Sequence, residues 1–308
     1  MNVVLKNRRG MVRSGWIIAL CLLAYNALIY SLTDWAGAAL GAAADAANLD
    51  AASYAAFVEW MNGPEMYLAI QYLNEAVLLV VPLAAWRLMR YRWQDIGLRD
   101  FRTRLKKDGV AGLVLGSALC TAIFLLLLAT GNMVVEGLNS PLSLPLLAWA
   151  LLFVFVGVAE EVMYRGFIMS VLRRTNSKVL AIAVPSLMFG ALHLTNPNLT
   201  PLSVVNVMLI GVAFSVMYYK SGNLWMCIGY HIAWNLFQSV VYGMPASGVD
   251  VSSIVVGGYP VGNLLNGGAF GIEGGVLATV AALLALAYAL FRYRASRYRF
   301  FEEAGKEG

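Results

Sequence analysis

The chain has 308 residues, of which 60% are hydrophobic and only 13% are charged. This composition excludes an ordinary water-soluble globular protein, whose surface needs more charge, and it indicates that lipid is the solvent. The net charge of +5 does not indicate nucleic-acid binding, because the basic residues form short clusters between apolar runs and no nucleic-acid motif is visible. Anionic lipid and membrane topology account for these clusters.

Apolar windows long enough to cross a bilayer recur along the chain. They predict helical spans at roughly 15–33, 67–89, 109–131, 146–172, 179–197, 202–219, 223–243 and 272–292. The apolar core of the first window is longer than that of a usual signal peptide, which favours a retained span. The three cysteines show no metal-binding spacing and are interpreted as small buried side chains. They are Cys21, Cys120 and Cys227.

Three connections between the spans carry predictions of their own. These are a short external helix within 34–66, a basic segment on the cytoplasmic face at 90–108 and a long outer loop at 244–271. No internal repeat and no second domain are visible. The predicted organisation is one membrane domain over 1–308 with cytoplasmic tails at 1–14 and 295–308, the second of them charged and partly disordered.

Among the connections between the spans, only alternate ones contain lysine or arginine. The basic connections lie before 15, between 87 and 107, between 173 and 178, at Lys220 and after 291, and they include Lys6, Arg8, Arg9 and Lys306. The opposite connections contain eight acidic residues and no lysine or arginine, namely Asp34, Asp45, Asp50, Glu59, Glu65, Glu136, Asp250 and Glu273. By the positive-inside rule, this distribution predicts a multi-pass protein of the cell (plasma or inner) membrane with both termini in the cytoplasm.

Several ionisable side chains fall inside the predicted spans. Because such groups are costly in hydrocarbon, each is a functional hypothesis. They are Glu75, Glu160, Glu161, Arg165, His193 and His231. Residues four apart share a helix face, and three such pairs are present. These pairs are Glu161 with Arg165, Phe189 with His193, and His231 with Asn235.

The depth of these groups follows from counting ~1.5 Å per residue from the nearest basic residue at the cytoplasmic end. This gives ~20 Å for Glu160, ~22 Å for His193 and ~16 Å for His231. Groups at similar depth on three helices can meet in one cavity. Singly, a histidine is more often a structural hydrogen-bonding group, and a Glu–Arg pair is often a helix clamp. When the residues are considered together, a purely structural role is less well supported, because the only two histidines lie at the same depth as two adjacent glutamates.

Two further features have structural interpretations. Glu75 follows Asn74 in the second span and has no evident partner, so we expect a structural hydrogen bond to a neighbouring helix. The Gly112-x-x-x-Gly116 pair in the third span predicts close packing against another helix.

Three motifs stand in order on successive parts of the predicted membrane core. They are Glu160-Glu161-x-x-x-Arg165, Phe189-x-x-x-His193 and His231-x-x-x-Asn235. This arrangement resembles the CPBP family of CAAX proteases and bacteriocin-processing enzymes, also called the Abi family or type II CAAX prenyl endopeptidases. The resemblance covers roughly 145–243, which we assign as a CPBP/Abi-like catalytic core. We expect an all-α polytopic membrane protein of about eight transmembrane helices with a conical intramembrane active-site cavity.

The resemblance implies an intramembrane endopeptidase that hydrolyses a peptide bond near the cytoplasmic half of the bilayer. Glu160 with His193 would activate a water molecule as general base. His231 and Asn235 would donate hydrogen bonds to the developing oxyanion. The supporting residues, which would orient these groups, are Glu161, Arg165 and Phe189. The substrate stays open between a prenylated protein, a peptide precursor and a segment of a membrane protein.

The same residues do not decide whether a metal cofactor takes part in the reaction. Glu160, His193 and His231 would supply a His₂Glu set that could hold a divalent metal such as zinc, with water in the fourth position. The helix lacks the HExxH motif, and the same side chains could also activate water directly.

Two other functions compete with the protease. One is a proton-coupled membrane transporter, since intramembrane Glu and His also build proton relays, although inverted repeats are not evident here. The other is a non-catalytic membrane immunity or scaffold protein that keeps the fold. The expected partners are membrane lipid and a membrane-associated protein or peptide, and no nucleic acid.

Overall fold

A computed structural model describes residues 12–302. The chain divides into two compact units, one within Met1–Met89 and one within Arg90–Gly308. Most of the first predicted tail, the end of the second, and the basic residues Lys6, Arg8, Arg9 and Lys306 lie outside the described residues. The assignment of 1–308 to a single membrane domain stays a prediction.

The first unit contains three helices, α1 (Ser14–Ala46), α2 (Ala51–Met61) and α3 (Pro64–Leu88). Helix α1 continues past the predicted end at 33 because residues 34–46 are rich in alanine, the strongest helix former. The short helix predicted between the first two spans is confirmed as α2. Its first turn is capped by Asp50, whose carboxylate accepts a hydrogen bond from the Ser53 backbone N–H at 2.8 Å.

Glu75 lies buried on α3 and is 4% exposed. Its Oε1 accepts a hydrogen bond from Asn74 Nδ2 at 3.1 Å, and Asn74 Oδ1 accepts one from the Tyr25 hydroxyl of α1 at 2.6 Å. The expected bond to a neighbouring helix is therefore made through Asn74.

The second unit contains the remaining helices. They are α4 (Phe101–Arg104), α5 (Val110–Ala129), α6 (Leu144–Glu161), α7 (Met169–Leu172), α8 (Lys178–Leu192), α9 (Pro201–Ser221), α10 (Trp225–Asn235) and α11 (Val276–Arg292). Three wider, π-helical segments continue or join them, at Leu105–Gly109, Val162–Ile168 and Leu236–Val241. Short 3₁₀ turns lie at Trp93–Ile96, Arg173–Thr175, His193–Thr195, Gly268–Phe270 and Ile272–Gly274.

The predicted all-α polytopic membrane fold is confirmed. Within residues 12–302, six helices are long and apolar enough to cross a membrane. They are Ser14–Ala46, Pro64–Leu88, Trp93–Ala129, Leu144–Thr175, Lys178–Thr195 and Pro201–Ser221, and Val276–Arg292 is a shorter apolar helix. The total of eight spans stays a prediction.

Three features of the second unit were not predicted. Within the predicted outer loop, β2 (Val255–Gly258) pairs antiparallel with β1 (Val134–Leu138). The basic segment 90–108 is not confined to the surface, because Ile96 is fully buried. In the described part of the predicted tail, Phe300 is 2% exposed and its ring lies 4.5 Å from Arg173 Cζ.

Close packing at the Gly112-x-x-x-Gly116 pair is confirmed, and the partner is α10. A Cβ atom on Gly112 would lie 2.2 Å from the Met226 carbonyl oxygen, and one on Gly116 would lie 2.6 Å from the Tyr230 carbonyl oxygen. Gly229 makes the reciprocal contact, since its Cβ would lie 2.3 Å from the Gly109 carbonyl oxygen. The backbones of α5 and α10 therefore touch directly, which only glycine permits.

We expect Gly112→Ala to destabilise the protein by about 1–3 kcal/mol, because the added methyl group must push α10 away from α5. Thermal unfolding of purified protein in detergent measures this. The matched control is Gly37→Ala in α1, where a Cβ meets nothing within 4 Å, and it should be neutral or slightly stabilising. Equal melting of the wild type and Gly112→Ala would contradict the close approach.

Candidate active site

Each of the three motifs lies where a helix changes its geometry. Glu160 and Glu161 are the last residues of α6 before the π-helical segment Val162–Ile168. His193 begins the 3₁₀ turn that follows α8, and Asn235 is the last residue of α10 before its own π-helical segment. Such interruptions of the α-helical ladder are frequent at functional sites.

A buried ion pair lies at the centre of the site. Arg165 Nη1 donates to Glu161 Oε1 at 2.8 Å, and both side chains are fully buried. The same carboxylate oxygen accepts from His231 Nδ1 at 3.1 Å, which joins α10 to the end of α6. Arg165 Nη2 also donates to the Gly211 carbonyl oxygen of α9 at 3.2 Å. The charge that is costly in a membrane is thus neutralised and hydrogen-bonded by three helices.

The second carboxylate faces the other nitrogen of the same histidine. Glu160 Oε2 lies 3.7 Å from His231 Nε2. Glu160 is 7% exposed, and His231 and Asn235 are each 8% exposed, whereas Glu161 and Arg165 are 0% exposed. Asn235 follows His231 by one turn and is the last residue of α10. The cluster therefore has a sealed side and a side that retains some access.

His193 is held by its own helix. Its Nδ1 lies 2.8 Å from the Phe189 carbonyl oxygen. Because a carbonyl oxygen can only accept, Nδ1 carries the proton, and the Nε2 lone pair of the neutral ring stays available. The Phe189 ring centroid lies 5.0 Å from that of His193 and 6.0 Å from that of His231. Phe189 thus joins the two histidines in one site.

The structure adds two residues that sequence reasoning missed, both on α9. They are Gly211, whose carbonyl oxygen bonds Arg165, and Phe214, whose ring centroid lies 5.1 Å from Arg165 Cζ. Neither position carries a signal in the sequence, because a glycine and a phenylalanine are ordinary residues of an apolar span.

The donor set proposed for a metal does not fit one in this arrangement. Among the described residues, no group of three or more His, Cys, Asp or Glu side chains could hold a metal ion. Both nitrogens of His231 face carboxylates, at 3.1 and 3.7 Å. The three cysteines are buried and free, as predicted.

The comparison with known families agrees with this geometry. Residues 142–237 match the family model of the Rce1-like type II CAAX prenyl endopeptidases, and all three motifs lie within that segment. The match covers 142–237 alone, and for this segment it supports the CPBP family of CAAX proteases. The CPBP resemblance drawn from the motifs is thereby confirmed, and with it the general class of CAAX-protease-like intramembrane endopeptidase. Searches found no match among curated proteins and none among solved structures.

Within this CPBP domain, we expect the Arg165–Glu161 pair to be energetically coupled. Arg165→Met leaves a buried carboxylate without its main partner and should cost about 3–5 kcal/mol of unfolding free energy. Adding Glu161→Gln removes the orphaned charge, so the double variant should recover part of that loss. A double-mutant cycle from denaturant unfolding in detergent measures the coupling. Simple additivity of the two single losses would contradict a functioning ion pair.

Proposed function

We propose that this CPBP protein is an intramembrane endopeptidase that hydrolyses a peptide bond of a membrane-associated protein or peptide with a water molecule activated by Glu160 and His193. The observation that carries the proposal is the division of the cluster. Glu160, His231 and Asn235 lie on its more accessible side, and the Arg165–Glu161 pair seals the other. Catalytic groups need access to a substrate, whereas groups that orient them do not.

The water step uses two groups that both accept from the water molecule. The Glu160 carboxylate accepts a proton from water, and the oxygen bonds to the peptide carbonyl carbon. His193 Nε2, whose partner nitrogen is fixed on the Phe189 carbonyl, accepts a hydrogen bond from the same water and orients it. The carbon–nitrogen bond then breaks, and Glu160 returns its proton to the leaving amine.

The oxyanion is assigned to donors on α10. Only the imidazolium form of His231 has N–H groups on both nitrogens, and two carboxylates face these nitrogens. As negative charge develops, Nε2–H can donate to the substrate oxygen while Nδ1–H stays on Glu161. The side-chain amide of Asn235, one turn after His231 on α10, is a second donor. Such donors are worth a few kcal/mol each in a dry site.

We also propose that the protein lies in the cell membrane with both termini in the cytoplasm. The one-sided distribution of lysine and arginine over alternate connections supports this orientation. Its partners would be membrane lipid and the membrane-associated substrate.

We expect substitutions in the proposed catalytic set to lower kcat by amounts that match their roles. Glu160→Gln and His193→Ala should each reduce it about 10²–10⁴-fold. Asn235→Ala should reduce it about 10²–10³-fold with little change in KM, because its hydrogen bond forms in the transition state. A substrate is first identified as a membrane-associated precursor that accumulates uncut in cells carrying Glu160→Ala. The rates are then measured on that precursor in liposomes.

The matched control is Glu75→Gln, which changes another buried intramembrane glutamate and should keep wild-type cleavage. Cleavage that persists in purified Glu160→Gln would rule out the assigned base. Proton-driven solute flux by a wild-type protein that cuts no precursor would favour a carrier instead.

We further propose that the water is activated without a metal, because no group of three His, Cys, Asp or Glu side chains that could hold a metal ion is found among the described residues. Prolonged treatment with a strong chelator should therefore leave the cleavage rate unchanged. Loss of activity that returns with added zinc would overturn this proposal, and elemental analysis of the active protein would show the metal directly.

A further inference from the structure

Helix α9 holds none of the motif residues, yet it lies against the polar cluster. Its Gly211 carbonyl oxygen accepts from Arg165 Nη2 at 3.2 Å. A Cβ atom on Gly211 would lie 3.3 Å from that same nitrogen and 3.2 Å from Ser186 Cα of α8. The glycine thus lets the α9 backbone reach Arg165 while α9 packs closely on α8.

Phe214 lies almost one turn further along α9 and is 2% exposed. Its ring centroid is 5.1 Å from Arg165 Cζ and 5.7 Å from the His231 ring centroid. Phe189 of α8 lies 4.5 Å and 6.0 Å from the same two groups. Two phenylalanine rings from different helices therefore contact both the guanidinium and the imidazole. Aromatic rings attract a cation and are rigid, so they restrict both side chains.

The two rings differ in what else they touch. Phe189 also contacts the His193 ring at 5.0 Å, so it serves both histidines. Within residues 12–302, the ring and cation contacts of Phe214 are with His231, Arg165 and the Tyr230 ring at 5.3 Å. A change at Phe214 should therefore act on His231 and leave His193 as it is.

Phe214 has a fixed support. Its carbonyl oxygen accepts from Cys227 Sγ of α10 at 3.3 Å, one helical turn before His231. The adjacent Ser215 hydroxyl pairs with the Ser186 hydroxyl of α8 at 3.2 Å. Helix α9 is thus tied to both helices that carry a histidine, as a precise site requires of its supporting residues.

We propose that Phe214 is a positioning residue that holds His231 with Nδ1 on Glu161 and Nε2 toward Glu160. Its catalytic consequence rests on the proposed function, whereas the positioning itself does not. Without the ring, the imidazole gains rotational freedom, and its hydrogen bond to Glu161 at 3.1 Å is no longer enforced.

Nitrogen NMR of histidine-labelled protein tests the positioning directly, since the sequence contains only two histidines. His193→Gln assigns the signals. In Phe214→Leu we expect the His231 nitrogen shifts to move and broaden while those of His193 stay unchanged. Phe189→Leu should move both sets. The matched control is Phe153→Leu on α6, whose buried ring packs on Trp149 at 6.1 Å, and it should move neither set.

Phe214→Met carries the same test if Phe214→Leu fails to fold, because methionine fills the space without a ring. Unchanged His231 signals in a folded Phe214 variant, or an equal change in Phe153→Leu, would overturn the proposal. When cleavage is measured on a precursor found in the Glu160→Ala experiment, the Phe214 variant should lose about 10- to 100-fold in kcat with KM retained. If the His231 signals move in the Phe214 variant but the wild-type protein cuts no precursor, the proposed function is wrong and the positioning still holds.

Discussion

A guanidinium inside a membrane-spanning bundle must be neutralised and hydrogen-bonded where it lies, and Arg165 imposes this requirement on its neighbours. Glu161 supplies the opposite charge at 2.8 Å, and the Gly211 carbonyl takes a second N–H group. Two phenylalanine rings cover the remaining faces. Because these partners come from α6, α8 and α9, the buried charge fixes where those helices meet. The carboxylate that neutralises it also holds His231, so the demand of one cation determines the position of an imidazole.

The motifs could be predicted because their spacing reflects a helix face. Residues four apart on an α-helix are neighbours, and the pairs Glu161–Arg165 and Phe189–His193 do touch. A meeting of Glu160 with His231 is expected from their similar depth, because α-helical rise is constant and burying several charges together is cheaper than burying each alone. The hydrogen bond from His231 to Glu161 was not predicted. The polar residues of the site can therefore be identified from the sequence, because they stand in otherwise apolar spans.

Apart from Phe189, which belongs to a motif, the apolar residues of the site could not be predicted. In a soluble protein the hydrophobic face of a helix points to the core, but in lipid both faces are apolar, so nothing in the sequence separates Phe214 from a lipid-facing ring. The π-helical segments after Glu161 and Asn235 could not be predicted either, because the spacing of apolar residues does not indicate a wider turn. The β1–β2 pair and the buried Phe300 depend on contacts between distant segments, which short windows do not contain.

Close backbone contact explains how α10 is held with the accuracy that chemistry needs. Helices in lipid associate by packing, since lipid chains are as apolar as side chains. Glycines of α5 bring its backbone against α10 around Met226 and Tyr230, and Phe214 of α9 packs against Tyr230 and His231. Contacts this close leave little freedom to slide, because a shift of a few tenths of an ångström produces a clash. The helix that carries His231 and Asn235 is therefore positioned by residues that take no part in the chemistry, and its accuracy comes from small side chains and one ring.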